Sequence, residues 1–251
     1  MILPSDIHSS WKLFFTQEVL SILDEVENKI GIANSEEITP AVNDMLRFLT
    51  LDLSKAKVVI LGQDPYPQKG VATGRAFEVG PLRSWTGSFR NTSLRNIVRA
   101  LYAAEKKEFR TFNSVKNEIA DGRFVLLPPN QLFKHWERQG VLLLNTSFSC
   151  NLGKPGSHSK HWKPFTDRLL DYINQACPDL IWFLWGNHAQ KAVEHLDLKH
   201  SISTTHPMIC HKRADDFLFG DTNAFEATHK LIDWTGEDKK ASSGQKQKRL
   251  W

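Results

Sequence analysis

The sequence predicts an α/β fold in which a parallel sheet is covered by helices on both faces. Four short apolar runs carry that reading: Lys57–Leu61, Val141–Leu144, Leu180–Trp185 and a weaker one at Ser201–Thr205. They have the length of buried strands. Between them apolar residues recur at helical spacing, and strands that alternate with helices pair in parallel.

In chain order, Trp11, Phe14, Phe15, Val19, Ile22, Leu23, Val26 and Ile30 mark a first helix, with Ser9 or Ser10 as its cap. The stretch "ITPAVNDMLRFL" starts a second, with Thr39 as cap and Pro40 in the first turn. The Lys57–Leu61 strand follows. Leu94, Ile97, Val98 and Leu101 mark another helix, and Phe124–Leu127 is a further apolar run with strand character. The Val141–Leu144 strand precedes a helix marked by Phe165, Leu169, Leu170 and Ile173, and the Leu180–Trp185 strand precedes one over Ala189–His195. We expect one domain over 1–235 and a disordered basic tail over 236–251, because "TGEDKKASSGQKQKRLW" has too few apolar residues to pack.

Composition narrows the class. Of 251 residues, 41% are hydrophobic and 24% charged, which suits a globular protein with a sizeable core. No 18-residue apolar stretch indicates a transmembrane helix, and "MILPSDIHSSW" lacks the pattern of a secretory signal. Cys150, Cys177 and Cys210 are odd in number and widely spaced, which argues against disulfides and zinc and for a reducing, cytoplasmic setting, or a nucleus in a eukaryotic or viral source. The net charge of +4 is compatible with a polyanionic partner without requiring one.

Each expected strand ends in a polar group: "GQDPY" from Gly62, "NTS" from Asn145, "GNHAQ" from Gly186 and "THP" from Thr205. Ligands of open α/β sheets bind beyond the carboxyl ends of the strands. Gln63, Asp64, Tyr66, Asn145, Asn187 and His206 therefore have a route to one crevice. Turn formers also gather at strand ends. A carboxylate, a carboxamide and a histidine together are the parts of an acid–base or electrostatic site.

"KVVILGQDPYP", "GRAF", "GVLLLNTSFS", "FLWGNHAQK" and "THP" occur in the order found in family 1 uracil-DNA glycosylases. The resemblance runs from about Trp11 to Trp234. It implies a three-layer α/β/α domain with a central four-stranded parallel sheet. It also implies hydrolysis of the N-glycosidic bond of uracil in DNA, without metal or cofactor, by a monomer.

On this resemblance Asp64 is the catalytic carboxylate and His206 the histidine aimed at uracil O2. Phe77 stacks on the flipped base, which must leave the helix to be reached. Asn145 reads the uracil edge: its amide oxygen accepts from N3–H and its NH2 donates to O4, a pattern that cytosine reverses. Tyr66 occupies the space of the thymine methyl group, and Gln63 lines the pocket.

The departures lie in the parts that grip DNA. Pro67 stands where histidine is common. "NTSLRN" replaces a Pro-Pro-Ser-Leu pattern, keeping Ser93. The long loop before it, "GPLRSWTGSFR", interleaves basic and aromatic residues that suit either phosphates and bases or the core. Asn187 takes the place of a phosphate-binding serine. After His206 the family runs Pro-Ser-Pro-Leu, whose leucine wedges into the gap left by the flipped base. Here Met208, Ile209 and Cys210 stand there, followed by the basic Lys212 and Arg213. "GKPGSHSKHW", with Lys154, His158, Lys160 and His161, is a further candidate phosphate contact.

The expected partners are uracil-containing DNA, single- or double-stranded, a uracil-mimicking inhibitor protein, and a sliding clamp through Gln247–Trp251. The competing readings are a glycosylase of broader specificity, a non-catalytic DNA-binding or polymerase-accessory protein on the same fold, and an unrelated nucleotide-binding protein. The last lacks a glycine-rich phosphate loop.

Overall fold

The structure, a computed structural model, describes residues 2–237; the clamp-like peptide Gln247–Trp251 lies outside the described residues. Helix α1 spans Gln17–Ile30. Its cap is Thr16, whose Oγ1 accepts from Val19 N at 3.3 Å, rather than Ser9 or Ser10. Trp11 sits in a separate 3-10 turn, and the Ser10 hydroxyl is committed to Leu53 N at 2.9 Å. Strand β1, Ile38–Thr39, comes next, followed by the short helix α2, Val42–Met45. Thr39 caps no helix because its backbone pairs with Cys150, in the antiparallel ribbon that β1 forms with β4, Cys150–Asn151.

Strands β2 (Val58–Gly62), β3 (Val141–Asn145), β5 (Ile181–Trp185) and β6 (His200–Thr204) form one parallel sheet in the order β3-β2-β5-β6. Between β2 and β3 lie α3 (Thr92–Lys106), α4 (Phe112–Ala120) and α5 (Pro129–Arg138). Helix α6 (Ser159–Ala176) leads into β5, α7 (Asn187–Ala192) follows it, and α8 (Ala224–Ala227) lies near the end. Helix α7 stops short of the expected His195.

Strand alternation divides the core in two. Val59, Leu61, Leu142, Leu144, Trp182 and Leu184 pack with α1 and α6. Val58, Ile60, Val141, Leu143, Phe183 and Trp185 pack with α3, α5 and α8. Each fully buried side chain of this size contributes about 1.5–3 kcal/mol. Both faces being covered explains why β2 and β3 read as continuous apolar runs. β6 is more exposed, which is why its signal was weak.

Phe124–Leu127 is irregular, not a strand. Phe124 is buried while Leu127 N bonds Thr235 O, so the segment is pinned to the chain end instead of to the sheet. In the loop before α3, Trp85 and Phe89 are buried, and Trp85 Nε1 donates to Leu127 O. Phe89 packs edge-on against Phe112, with the Arg95 guanidinium 5.5 Å from its ring centre. These aromatics cover core; Arg83 and Arg90 remain exposed.

Candidate active site

Strands β2 and β3 end side by side, with Gly62 in register with Asn145. Any larger residue at Gly62 would put its Cβ 2.4 Å from Asn145 Oδ1, so this glycine makes room for the amide. Gly186, at the end of β5, has φ 87° and would meet His206 Cβ at 2.8 Å. These close approaches gather the strand ends around a cavity of about 410 Å³. Gln63, Asp64, Tyr66, Phe77, Asn145 and His206 all line it, and Ser93, Met208 and Ile209 complete its wall.

The turn after β2 is braced along its length. The carbonyl of Gln63 accepts from Ser147 N and Thr146 Oγ1, each at 2.9 Å. Pro67 O accepts from Gly153 N at 2.8 Å, and Tyr66 O accepts from Thr39 Oγ1 at 3.4 Å. With prolines on either side of Tyr66, this leaves the backbone of Asp64 little freedom. The Asp64 carboxylate is partly buried, and burial pushes its pKa up; a hydrogen bond from the Gly156 backbone and the nearby His188 pull it back down. Its Oδ1 is buried and has no protein partner among the described residues. The residue as a whole lines the cavity, so a charge on it would act on whatever occupies that space.

His206 faces the same space. Its Nδ1 accepts from Met208 N at 3.1 Å, so in the neutral ring the proton resides on Nε2. Burial lowers its pKa, and the like charge of His188 lowers it further, which favours that neutral form. The loop bearing it turns on a residue that sequence reading passed over. Asp216 is 1% exposed and accepts from His211 N, Leu218 N and Phe219 N at 2.6–2.8 Å, and from Thr205 Oγ1 at 3.3 Å. Asn96, on α3, donates through Nδ2 to Pro207 O at 2.6 Å.

Phe77 has φ 65°, a left-handed conformation that a bulky side chain rarely adopts. A buried ion-pair cluster brackets it: Arg75 reaches Glu78 at 2.9 Å and Glu137, on α5, at 2.6 Å. The ring packs 5.3 Å from Trp185 and 6.2 Å from His206. Burial raises the Tyr66 phenol to about 12 against a hydrogen bond from Asn91, so the ring stays neutral. Asn145 is 6% exposed and its amide has no hydrogen-bond partner among the described residues.

The expected DNA-contacting residues divide. Met208 and Ile209 are 59% and 57% exposed at the cavity mouth. Cys210 turns the other way: its Sγ lies 3.6 Å from Pro207 O and it packs on the core. Lys212 and Arg213 are exposed outside the cavity, Arg213 pairing with Asp215 at 3.2 Å. Asn187 is exposed at the start of α7. His158 is buried between Ser149 Oγ and Asn151 Oδ1, unavailable to a phosphate, whereas Lys154 and Lys160 are exposed.

Asp216, Asn96 and Glu137 shape the site without having signalled it in sequence, whereas Thr146, His188 and Arg75 lie inside the motifs "NTS", "GNHAQ" and "GRAF" without having been assigned a role. Only the buried-charge spacing of Arg75 and Glu78, three residues apart around Phe77, offered a local clue.

A family model described as the uracil DNA glycosylase superfamily matches residues 50–229. A uracil-DNA glycosylase of Pseudomonas paraeruginosa is 38% identical over 161 residues, covering 63% of this chain. The match spans only 60% of that relative's length. Uracil-DNA glycosylase 1 of Listeria monocytogenes is 35% identical over 90% of this chain and 96% of its own. The crystal structure of a Nitratifractor salsuginis UNG superposes with a TM-score of 0.64 at 26% identity, covering 81% of this chain and 85% of that one. A mimivirus UNG variant solved in complex with UGI gives 0.61 at 28% identity, covering 80% and 70%.

Proposed function

Because the chain belongs to the uracil DNA glycosylase superfamily, we propose that it hydrolyses the N-glycosidic bond of uracil in DNA during base-excision repair, releasing free uracil and leaving an abasic site. The observation that carries this reading is the convergence of Asp64, His206, Asn145, Phe77 and Tyr66 on one cavity from four separate chain segments.

Each group has work that its geometry suits. Cleavage leaves positive charge on the sugar and negative charge on the departing base. Asp64, with its buried and unpartnered Oδ1, stabilises the cation and orients or deprotonates the attacking water. His206, neutral with its proton on Nε2, donates to the O2 of the leaving uracil. Groups of this kind are worth about 10²–10³ in rate each. The free Asn145 amide pairs with the uracil edge, and Phe77 stacks on its face, worth roughly 1–3 kcal/mol. Tyr66, a neutral ring held by its neighbours, closes the position of the 5-methyl group.

Two exposed apolar side chains at the mouth, Met208 and Ile209, suit a wedge that fills the gap left by the flipped base. Cys210, turned inward, does not. A uracil-mimicking inhibitor protein would meet the same mouth. The wild type should release uracil from an oligonucleotide and leave thymine and cytosine in place. Tyr66→Ala should then release thymine as well; a variant still restricted to uracil would contradict the steric role of the ring.

A further inference from the structure

Phe77 is held in a backbone conformation that its own chemistry disfavours. At φ 65° the Cβ of an L residue crowds the following carbonyl oxygen. Residues so placed persist only where the surrounding structure over-determines them. The ties on either side of Phe77 do so. Ala76 N donates to Leu143 O at 3.2 Å, which fixes the turn on β3. Arg75 donates to Glu78 at 2.9 Å, clasping the turn across Ala76 and Phe77. The same guanidinium reaches Glu137 on α5 at 2.6 Å, and these three side chains are 5–8% exposed. Glu78 also accepts from Thr73 Oγ1 at 2.5 Å, and Arg47 donates to Thr73 O at 3.3 Å.

Stability alone is a weak reason for such a cluster. Withdrawing charges from water costs about as much as their attraction returns, and apolar side chains of similar size often serve a core as well. Direction is a better one. A planar guanidinium that bridges two carboxylates fixes the geometry of the segments carrying them, which apolar contacts do less strictly. Arg75 and Phe77 both line the catalytic cavity. The Arg75 guanidinium is committed to Glu78 and Glu137, so its route to a bound base runs through Phe77, two residues on. A return of Phe77 to negative φ would re-aim its Cα–Cβ bond and carry the ring with it.

We propose that Arg75, through Glu78 and Glu137, is a positioning residue that holds Phe77 in the left-handed conformation from which its ring stacks on uracil. The stacking half of this proposal rests on the excision reading; the backbone half does not. Glycine tells the two states of the turn apart. It accepts positive φ freely, whereas alanine is favoured over glycine wherever the backbone can relax to negative φ.

The test places Phe77→Gly and Phe77→Ala in two full-chain backgrounds, the wild type and Arg75→Met/Glu137→Met, which opens the cluster and leaves Glu78 bonded to the Thr73 hydroxyl. If the opened background does not fold, Arg75→Lys replaces it, since a point charge cannot bridge both carboxylates as the guanidinium does. In the wild-type background the glycine variant should melt about 2–4 °C above the alanine variant. In the opened background that gap should close or reverse. Alanine level with or above glycine in the wild-type background, or the same gap in both, would overturn the proposal. A second arm measures inhibition by free uracil during turnover of a uracil-containing oligonucleotide. Opening the cluster should weaken inhibition about fivefold or more when Phe77 is present, the lower bound of a lost stack. With Phe77→Ala already in place, opening it should change inhibition less than about twofold. Equal losses in both would show that Arg75 does not act through the ring, and would overturn its role toward uracil. The melting arm needs no turnover: absence of uracil release by the wild type would sink the excision reading, while the glycine–alanine gap would still decide whether the cluster holds Phe77.

Discussion

The role proposed for Asp64 needs an anion, yet its surroundings favour the neutral acid. Its folded pKa is raised, chiefly by burial. Below the unfolded value the carboxyl is protonated in both states, and folding loses stability as pH rises from there through the folded value. Removing the charge should therefore stabilise the protein where the wild type is ionised. Asp64→Asn should melt higher than wild type at pH 7, and the difference should close as pH falls below the ordinary carboxylate range. An equal or lower melting temperature at pH 7 would mean that the carboxylate is not strained by its site. His188 offers a second residue-scale check. Burial lowers its own pKa, so it is charged only on the acid side, and when protonated it lowers the pKa of both Asp64 and His206. His188→Phe should move the acid limb of the kcat–pH profile to higher pH; a limb that stays put would remove His188 from the electrostatics. Asp64 and His206 were legible as polar residues at strand ends, and the resemblance to the family separated them from ordinary turn formers. His188 was not, because its importance comes from Thr146 and Gln63, residues distant in sequence that only folding brings near.

The loop from Thr205 to Phe219 carries His206, Met208 and Ile209, and its shape depends on one buried carboxylate. Asp216 accepts three backbone N–H groups and a hydroxyl. An asparagine there keeps the size but turns one acceptor into a donor facing donors, at a cost of roughly 1–3 kcal/mol for each group left unpaired. Asp216→Asn should weaken uracil excision from duplex DNA by tenfold or more while affecting inhibition by free uracil less, since the cavity floor is built elsewhere. Equal loss of both would show that the loop shapes the whole pocket. The sheet and the long helices were readable for a general reason: a strand covered on both faces is apolar throughout, and an amphipathic helix repeats. Short elements escaped because their partners decide them. Thr39 looked like a helix cap until Cys150 claimed its backbone, and Phe124–Leu127 looked like a strand until Thr235 did.

At the scale of the molecule, the sheet separates two packed layers and leaves its carboxyl edge for chemistry. The turn after β2 brings Asp64 and Tyr66 to the cavity, the end of β3 brings Asn145, and the turn after β6 brings His206. Among the departures from the family pattern, Met208 and Ile209 are exposed at the mouth of the cavity, whereas Cys210 packs on the core. The most direct test is single-turnover release of free uracil from a uracil-containing oligonucleotide, for wild type and Asp64→Asn at matched occupancy. The account predicts release by the wild type, a fall of about 10²–10³ in the variant and similar DNA affinity for both. No release by the wild type, or parallel loss of binding and cleavage in the variant, would contradict it.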